Sequence, residues 1–575
     1  MFKKKAVADN HLRVISIVFL VIALWVLGRL FFLQVLQHDY YSLFALNTHE
    51  IYETLHPQRG TIYVQDAAGE EYPVAVNKQF YQVYAVPKEF EKGTASTTAA
   101  QLIEILGITD QTKKDRLFNR LSKEDDLYEA VERKVPEELA DKATALKGVH
   151  STPEQYRFYP EQNLGAAVFG FCGLNDDGNS VGRYGLEAYW DDKLAGTPGF
   201  RMGERGAFGS WITTAGMTLN PSHNGADLLL TIDRTLQYTA CKRLQEGLVE
   251  FGAQRAALVM MDPKTGAVLA MCSLPDFDPN NFSKTPDIDA FNNQAIFTPY
   301  EPGSVFKPIT MALAIDAGLV RPETTFTDPC ERKIDRFTIR NALRKCYGLQ
   351  TMTQVLENSI NTGMIWIQEK LGRAAFQAGV AKFGFGQKTG ITLSTEIAGD
   401  ISSLDKKNSP IYGAVGSFGQ GLTATPIQLA TAYSALVNNG KLPKPYIVEE
   451  IRYPDGSTEK TKPYIIDTVI SDRASQLIRG MLVSVVENGS SYIKTKLPDY
   501  YVGGKTGTAQ IPGKGGYTDE TNHTFVGFGA ANDPRFVLVV KYEKPARQWA
   551  ESTAAPVFKD IMQFALQYYG IAPER

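Results

Sequence analysis

A serine hydroxyl attacks a carbonyl at neutral pH only when a base lies within hydrogen-bond reach. Ser304-Val305-Phe306-Lys307 offers such a pair. Residues three apart on a helix share a face, with about 5–6 Å between their Cβ atoms, so a helical turn brings Ser304 and Lys307 together. Lys307 can accept a proton only while its amine is neutral, and burial or a neighbouring cation lowers a lysine pKa. Two more short motifs follow in order, Ser359-Ile360-Asn361 and Lys505-Thr506-Gly507-Thr508. Ser359 suits a proton relay between the lysines and a leaving amine, Asn361 a bond to a peptide carbonyl, and Lys505 the second cation beside Lys307. Lys505, Thr506 and Thr508 can hold a terminal carboxylate, and Gly507 leaves space for a peptide backbone. Each motif alone is weak: a lone S-x-x-K is usually a surface lysine that happens to follow a serine, and Ser359 and Asn361 equally suit local caps. In this order the three specify acyl transfer on an active serine.

The elements that must position these groups are legible around them. Glu301-Pro302-Gly303 reads as a loop turning into a helix start, and the apolar run Ile309 to Val320 continues it. Ser304 then lies by a helix N-terminus, where free N–H groups and the dipole favour a developing negative charge. Pro308 lacks the amide that would bond the Ser304 carbonyl, so an irregular first turn is expected. Ser359-Ile360-Asn361 reads as a short connection between two helical segments. Val502 to Gln510, His523 to Phe528 and Arg535 to Val540 read as strands, and an exposed strand edge beside a nucleophile lets a peptide add as one more strand. A phosphate-loop reading of Gly504-Lys505-Thr506 fails, because it needs a glycine where Asp499 stands. Leu228 to Ile232 and Ala256 to Met261 read as further strands, with a helix from about Thr235 to Phe251 between them. Ala555 to Tyr569 carries apolar residues at helical spacing.

With these contexts the motifs resemble those of the penicillin-binding proteins and serine β-lactamases. Asn280-Asn281-Phe282, Tyr300-Glu301-Pro302-Gly303-Ser304, Gly416 to Gly421, Thr425 to Ala430 and the two-strand run Ala256 to Pro275 are similar to the transpeptidase domain of class B penicillin-binding proteins. Arg59-Gly60-Thr61-Ile62, Gly185-Leu186-Glu187 and Leu194 to Gly199 resemble that family's N-terminal module. Ile360 departs from the pattern, since the β-lactamases carry Asp there and class B members usually a small residue. The resemblance implies an α+β fold: an antiparallel sheet sandwiched by helices, an all-helical subdomain, and Ser304 in the cleft between that subdomain and the sheet edge. It implies that Ser304 attacks the bond between the two terminal D-alanines of a peptidoglycan stem peptide. Lys307 takes the proton, the Ser304 and Thr508 amides hold the oxyanion, and an acceptor amine completes a cross-link. β-Lactams would acylate the same serine. A membrane-embedded glycan-polymerising partner and division proteins are further implied, and the tracts 293–307 and 416–428 look more like septal than elongation members. A carboxypeptidase or β-lactamase of the same fold is the rival enzyme. A non-catalytic scaffold or β-lactam sensor is the rival of another class, although the nucleophile is present and the segment before the apolar run is only a stub.

The chain has 575 residues and a formal net charge of −3. That length allows two or three domains, and the near-neutral balance gives no reason to expect nucleic acid. Residues 1–13 are basic, with Lys3, Lys4, Lys5 and Arg13, and 14–36 are apolar apart from Ser16, Arg29 and Gln34. About 20 apolar residues cross a bilayer. Phe31-Phe32-Leu33 stands where a signal peptide would need small residues, so an uncleaved anchor is expected, with the basic flank in the cytoplasm and the rest outside. Arg29 either snorkels or pairs with another protein's helix. The expected domains are therefore a cytoplasmic tail (1–13), a transmembrane helix (14–36), a dimerisation-like pedestal (37–224) with one charged helical region over about 95–146, and a transpeptidase domain (225–575). Of five cysteines, Cys330 and Cys346 bracket a polar loop region and can pair, whereas Cys172, Cys241 and Cys272 read as core residues. The seven histidines show no metal-ligand spacing, His523 suits a structural or a functional place, and no metal or cofactor is expected.

Overall fold

The computed structural model describes residues 3–37, 50–176, 180–204, 218–406, 409–489 and 492–575. They pack into two compact units, Met1–Gln58 with Gly196–Asn224, and Arg59–Ala195 with Gly225–Arg575. The stretch 37–224 is thus divided between the two.

In the first unit, helix α1 (Lys3–Phe31) runs into a π-helical turn, Phe32–Leu36. Its segment Ile15–Leu36 has a mean hydropathy of 2.5 and none of it is buried in protein, so it is long and apolar enough to cross a membrane. A three-stranded antiparallel sheet joins Glu50–Leu55, Gly199–Glu204 and Thr218–Asn220.

The second unit opens with strands β1 (Ile62–Gln65) and β2 (Glu71–Ala85). The region expected to be helical over 95–146 holds three helices, Ala95–Ile105, Gln111–Leu121 and Glu137–Thr144, but also a strand, Glu129–Val135. Val131 and Val135 face the core of this region; a spacing of four fits either period, and pairing with β2 decides for the strand. Strand β3 (Asp227–Asp233) pairs in parallel with β1, and helix α2 (Arg234–Glu250) follows, capped by the Asp233 carboxylate. Strands β4 (Arg255–Met261) and β5 (Val268–Leu274) form the expected hairpin.

Next comes the helical part. A single 3-10 turn, Gly303–Phe306, leads into α3 (Lys307–Asp316), so the irregular first turn imposed by Pro308 is present. Helices α4 (Met352–Glu357) and α5 (Asn361–Leu371) flank Ser359-Ile360. Helix α6 (Pro426–Val437) is buried at every residue and starts with a capping box between Thr425 and Gln428. Strand β6 (Val448–Arg452) returns to pair with β3, and α7 (Asp472–Asn488) precedes the strands β7 (Val502–Gly513), β8 (Gly516–Gly529) and β9 (Phe536–Glu543). Helix α8 (Ala554–Tyr568) completes the fold.

Two sheets result. One has the order Thr458–Lys460, β6, β3, β1, β2, Glu129–Val135, with Val149–Phe158 also paired to β2. The other has the order β5, β4, β9, β8, β7, and is antiparallel throughout. The near-continuous apolar runs of β4 and β9 follow from burial on both faces, since α2 and α8 pack against this sheet as well as α6. Strand β7 is one of its two edges, β5 the other. Two disulfides are present, Cys330–Cys346 and Cys241–Cys272. The second corrects the core reading of Cys241 and Cys272: α2 lies along β5 and brings their Cα atoms to 5.5 Å, a juxtaposition of segments 31 residues apart that local spacing does not encode. Cys172 is free, and its thiol donates to Glu187 at 3.4 Å.

Candidate active site

Ser304 stands on the 3-10 turn that begins at Gly303, whose φ of +63° lies in the left-handed region open to glycine. The turn is tied down from the helical side. Gly303 N donates to Gly419 O at 2.9 Å, the Tyr433 hydroxyl on α6 donates to Val305 O at 2.7 Å, and Thr310 Oγ1 donates to Ser417 O at 2.9 Å. Glu301, just upstream, accepts from Gly421 N at 3.1 Å and from the Tyr517 hydroxyl at 2.9 Å. Strand β7 closes on the turn from the other side at Gly507.

Lys307 is fully buried. Its Nζ donates to Ser359 O at 2.6 Å, Ser359 Oγ at 3.0 Å and Asn361 Oδ1 at 2.7 Å. Burial, and then the positive charge of Lys505, push its amine well below the ordinary lysine range. Among the described residues none hydrogen-bonds the Ser304 hydroxyl, and Ser304 is partly buried. The expected direct Ser304–Lys307 bond is therefore replaced: the three oxygens of the Ser359–Asn361 segment occupy the amine. Bonds of this kind are often loose before substrate arrives.

Lys505 is buried on the edge strand, and its Nζ donates to the Tyr492 hydroxyl at 2.7 Å and to Thr506 O at 3.2 Å. Thr506 does not face open space. Its hydroxyl bonds Tyr492 Oη at 2.8 Å and donates to Glu551 Oε1 at 3.2 Å. Gly507 is closely packed as well. A Cβ there would come within 2.7 Å of Pro302 O and 3.1 Å of Val305, so the missing side chain makes room for the Ser304 turn. Thr508 and Asn361 line a cleft of about 870 Å³, with Arg340, Phe418, Gln420 and Trp549 among its walls. Thr508 Oγ1 also accepts from Ala550 N at 3.2 Å. His523, opposite Thr508 in the sheet register, is buried between Thr521 and Thr553 and held neutral by that burial, its pKa lowered to about 4.

The fold thus assembles all three motifs at one place. Tyr492 and Tyr433 belong to the same assembly and no local motif announces them, whereas Glu301 lies in the tract just before Ser304.

Comparison with known proteins agrees with this architecture. Residues 256–563, more than half of the chain, match the penicillin-binding protein transpeptidase domain, and residues 54–230 match the penicillin-binding protein dimerisation domain. This chain belongs to the penicillin-binding protein transpeptidase family. It is 34% identical to stage V sporulation protein D of Bacillus subtilis over 531 residues, covering 90% of this chain and 79% of the relative. It is 29% identical to the peptidoglycan D,D-transpeptidase FtsI of Escherichia coli, covering 96% and 90%. Among solved structures, penicillin-binding protein 3 of Mycobacterium tuberculosis in complex with aztreonam superposes with a TM-score of 0.69 at 26% identity, covering 91% and 98%.

Proposed function

We propose that this chain is a membrane-anchored peptidoglycan D,D-transpeptidase that works through a Ser304 acyl-enzyme. The carrying observation is the Lys307 amine, its pKa depressed by burial and then by Lys505, one turn from a serine whose hydroxyl has no hydrogen-bond partner among the described residues. A neutral amine has two N–H groups and one lone pair. The two shortest contacts, 2.6 and 2.7 Å, go to the carbonyl oxygens of Ser359 and Asn361, which only accept. Its lone pair is then left for a hydroxyl, that of Ser304 or of Ser359.

Ser304 Oγ attacks the carbonyl between the terminal D-alanines, and its proton passes to Lys307. The Ser304 and Thr508 amides receive the oxyanion. The C–N bond breaks, and Lys307 returns the proton through Ser359 to the departing D-alanine amine. A second stem's amine attacks the ester, forms the cross-linking amide and releases Ser304 with its proton. The free edge of β7 supports docking of the extended donor peptide, and Thr508 in the cleft supports capture of its carboxylate. The basic flank of the apolar helix places residues 1–13 in the cytoplasm and residues after 36 outside, in a scheme of anchor, N-terminal module and transpeptidase domain. β-Lactams enter as mimics of the donor, and a glycan-polymerising membrane protein supplies the strands to be joined. The motif tracts at 293–307 and 416–428 support a septal place, which a fluorescent fusion found along the side wall instead of midcell would refute.

Ser304→Ala should abolish covalent labelling by a fluorescent penicillin; labelling at full strength would overturn the reading. Transfer to a labelled acceptor amine, read as cross-linked product, distinguishes a transpeptidase from a hydrolase of the same fold.

A further inference from the structure

Helix α5 begins at Asn361 without a cap from its own neighbour, since Ile360 offers no side-chain acceptor. Its first-turn amides still need partners. One is supplied from a distant loop: Thr362 N donates to Asn341 Oδ1 at 3.2 Å. Thr362 Oγ1 donates to Asp328 Oδ1 at 2.6 Å, and Asn341 Nδ2 to Asp328 Oδ2 at 2.8 Å, which closes a ring of three side chains. Asp328 is 5% exposed, Asn341 4% and Thr362 0%. The Asp328 carboxylate also accepts from the amides of Cys330 and Tyr347, both at 3.0 Å. Four donors leave this buried acceptor group satisfied, and such a network is stiff because each broken bond strands a buried polar atom.

The ring lies one residue from both ends of a second contact. Asn361 Nδ2 donates to Arg340 O at 2.9 Å. Arg340 precedes Asn341, and Asn361 precedes Thr362. Holding Asn341 on Thr362 therefore holds Arg340 O on the Asn361 amide. With its NH₂ group engaged there, Asn361 must turn Oδ1 toward Lys307, where it accepts at 2.7 Å.

We propose that Asp328, Asn341 and Thr362 form a buried positioning triad that orients Asn361, and through it the Lys307 amine, for acyl transfer. The inference rests on the reading of Ser304 as nucleophile. None of the three touches substrate; they act by geometry, and misplacing a reacting group by about 1 Å can cost on the order of 100-fold in rate.

The test uses the full-length protein in detergent and the time course of acylation by a fluorescent penicillin over a range of concentrations. This separates initial binding from the acylation rate constant. Thr362→Val keeps the shape and removes the hydroxyl; it should slow acylation by roughly ten-fold or more while leaving initial binding within about two-fold. Thr362→Ser, which restores the hydroxyl, should recover the rate to within about two-fold. Acylation by Thr362→Val at the unmodified rate overturns the proposal, as does a Thr362→Ser variant as slow as Thr362→Val, which would make the site one of packing alone. Asp328→Asn is the second variant, expected to slow acylation in the same way, and an unchanged rate in the folded variant also overturns it. Failure of both Thr362→Val and Asp328→Asn to fold would show a structural role and overturn the positioning one. Full labelling of Ser304→Ala would instead sink the underlying reading, a result separable from all of these.

Discussion

Lys307 has no surface left to water, and the nearest cation, Lys505, is equally buried. Burial first, and then the charge of Lys505, lower the pKa of the Lys307 amine. The sign of the consequence is definite. A base works in its neutral form, so a depressed pKa extends activity toward acid. Lys505→Gln removes one of the two causes of the depression and lets the Lys307 pKa rise. The acid limb of the acylation rate should move to higher pH, with a lower rate at neutral pH, as measured by penicillin labelling across a pH series. The identities of Ser304, Lys307, Ser359, Asn361 and Lys505 were readable from motif spacing because each pattern is short and local. Their partners were not: Tyr492 and Tyr433 are single aromatic residues whose meaning comes from contacts across the fold.

Strand β7 and the Ser304 turn form a joint between two elements about 200 positions apart along the chain. Gly507 and Gly303 meet the opposing element with almost no side-chain volume, and a Cβ at Gly303 would come within 3.0 Å of Ala509 Cβ. Gly507→Ala should push the turn away from the strand, because the atoms it meets are backbone and a branched side chain rather than a flexible tip. The expected result is a loss of acylation by at least about ten-fold, with the protein still folded by circular dichroism. Sequence reasoning placed a peptide substrate beside this glycine, and the structure places the Ser304 turn against it. The strand pattern was clear, whereas the identity of the backbone across from it depended on the docking of sheet against helices. The same limit explains Glu129–Val135, where charged residues and a four-residue apolar spacing read as helix until β2 paired with it.

At the scale of the whole chain, residues 59–195 and 225–575 form one unit, and the main apolar core runs from Ile62 through Leu566. Within it a buried ion cluster joins segments that are far apart. Glu187 is 0% exposed, with Arg59 at 2.6 Å and Arg157 at 2.6 Å. Burial alone would raise the Glu187 pKa, but the two guanidinium groups outweigh it and hold the carboxyl at about 2. The apolar helix belongs to the other unit and none of Ile15–Leu36 is buried in protein. Deleting residues 1–36 should therefore move the protein from the membrane fraction to the soluble fraction of a lysate while penicillin labelling of Ser304 persists; retention in membranes would point to a second attachment.

The sequence by itself determined the three motifs, their order, the elements that carry them and the apolar N-terminal segment, because each depends on residues a few positions apart. Only the tertiary structure decided that Cys241 joins Cys272, that Thr506 bonds Tyr492 and Glu551 while Gly507 packs on the Ser304 turn, and that Asp328, Asn341 and Thr362 close on one another behind Asn361. These are contacts between segments brought together by burial of apolar surface, and burial is satisfied by the fold as a whole rather than by any local pattern.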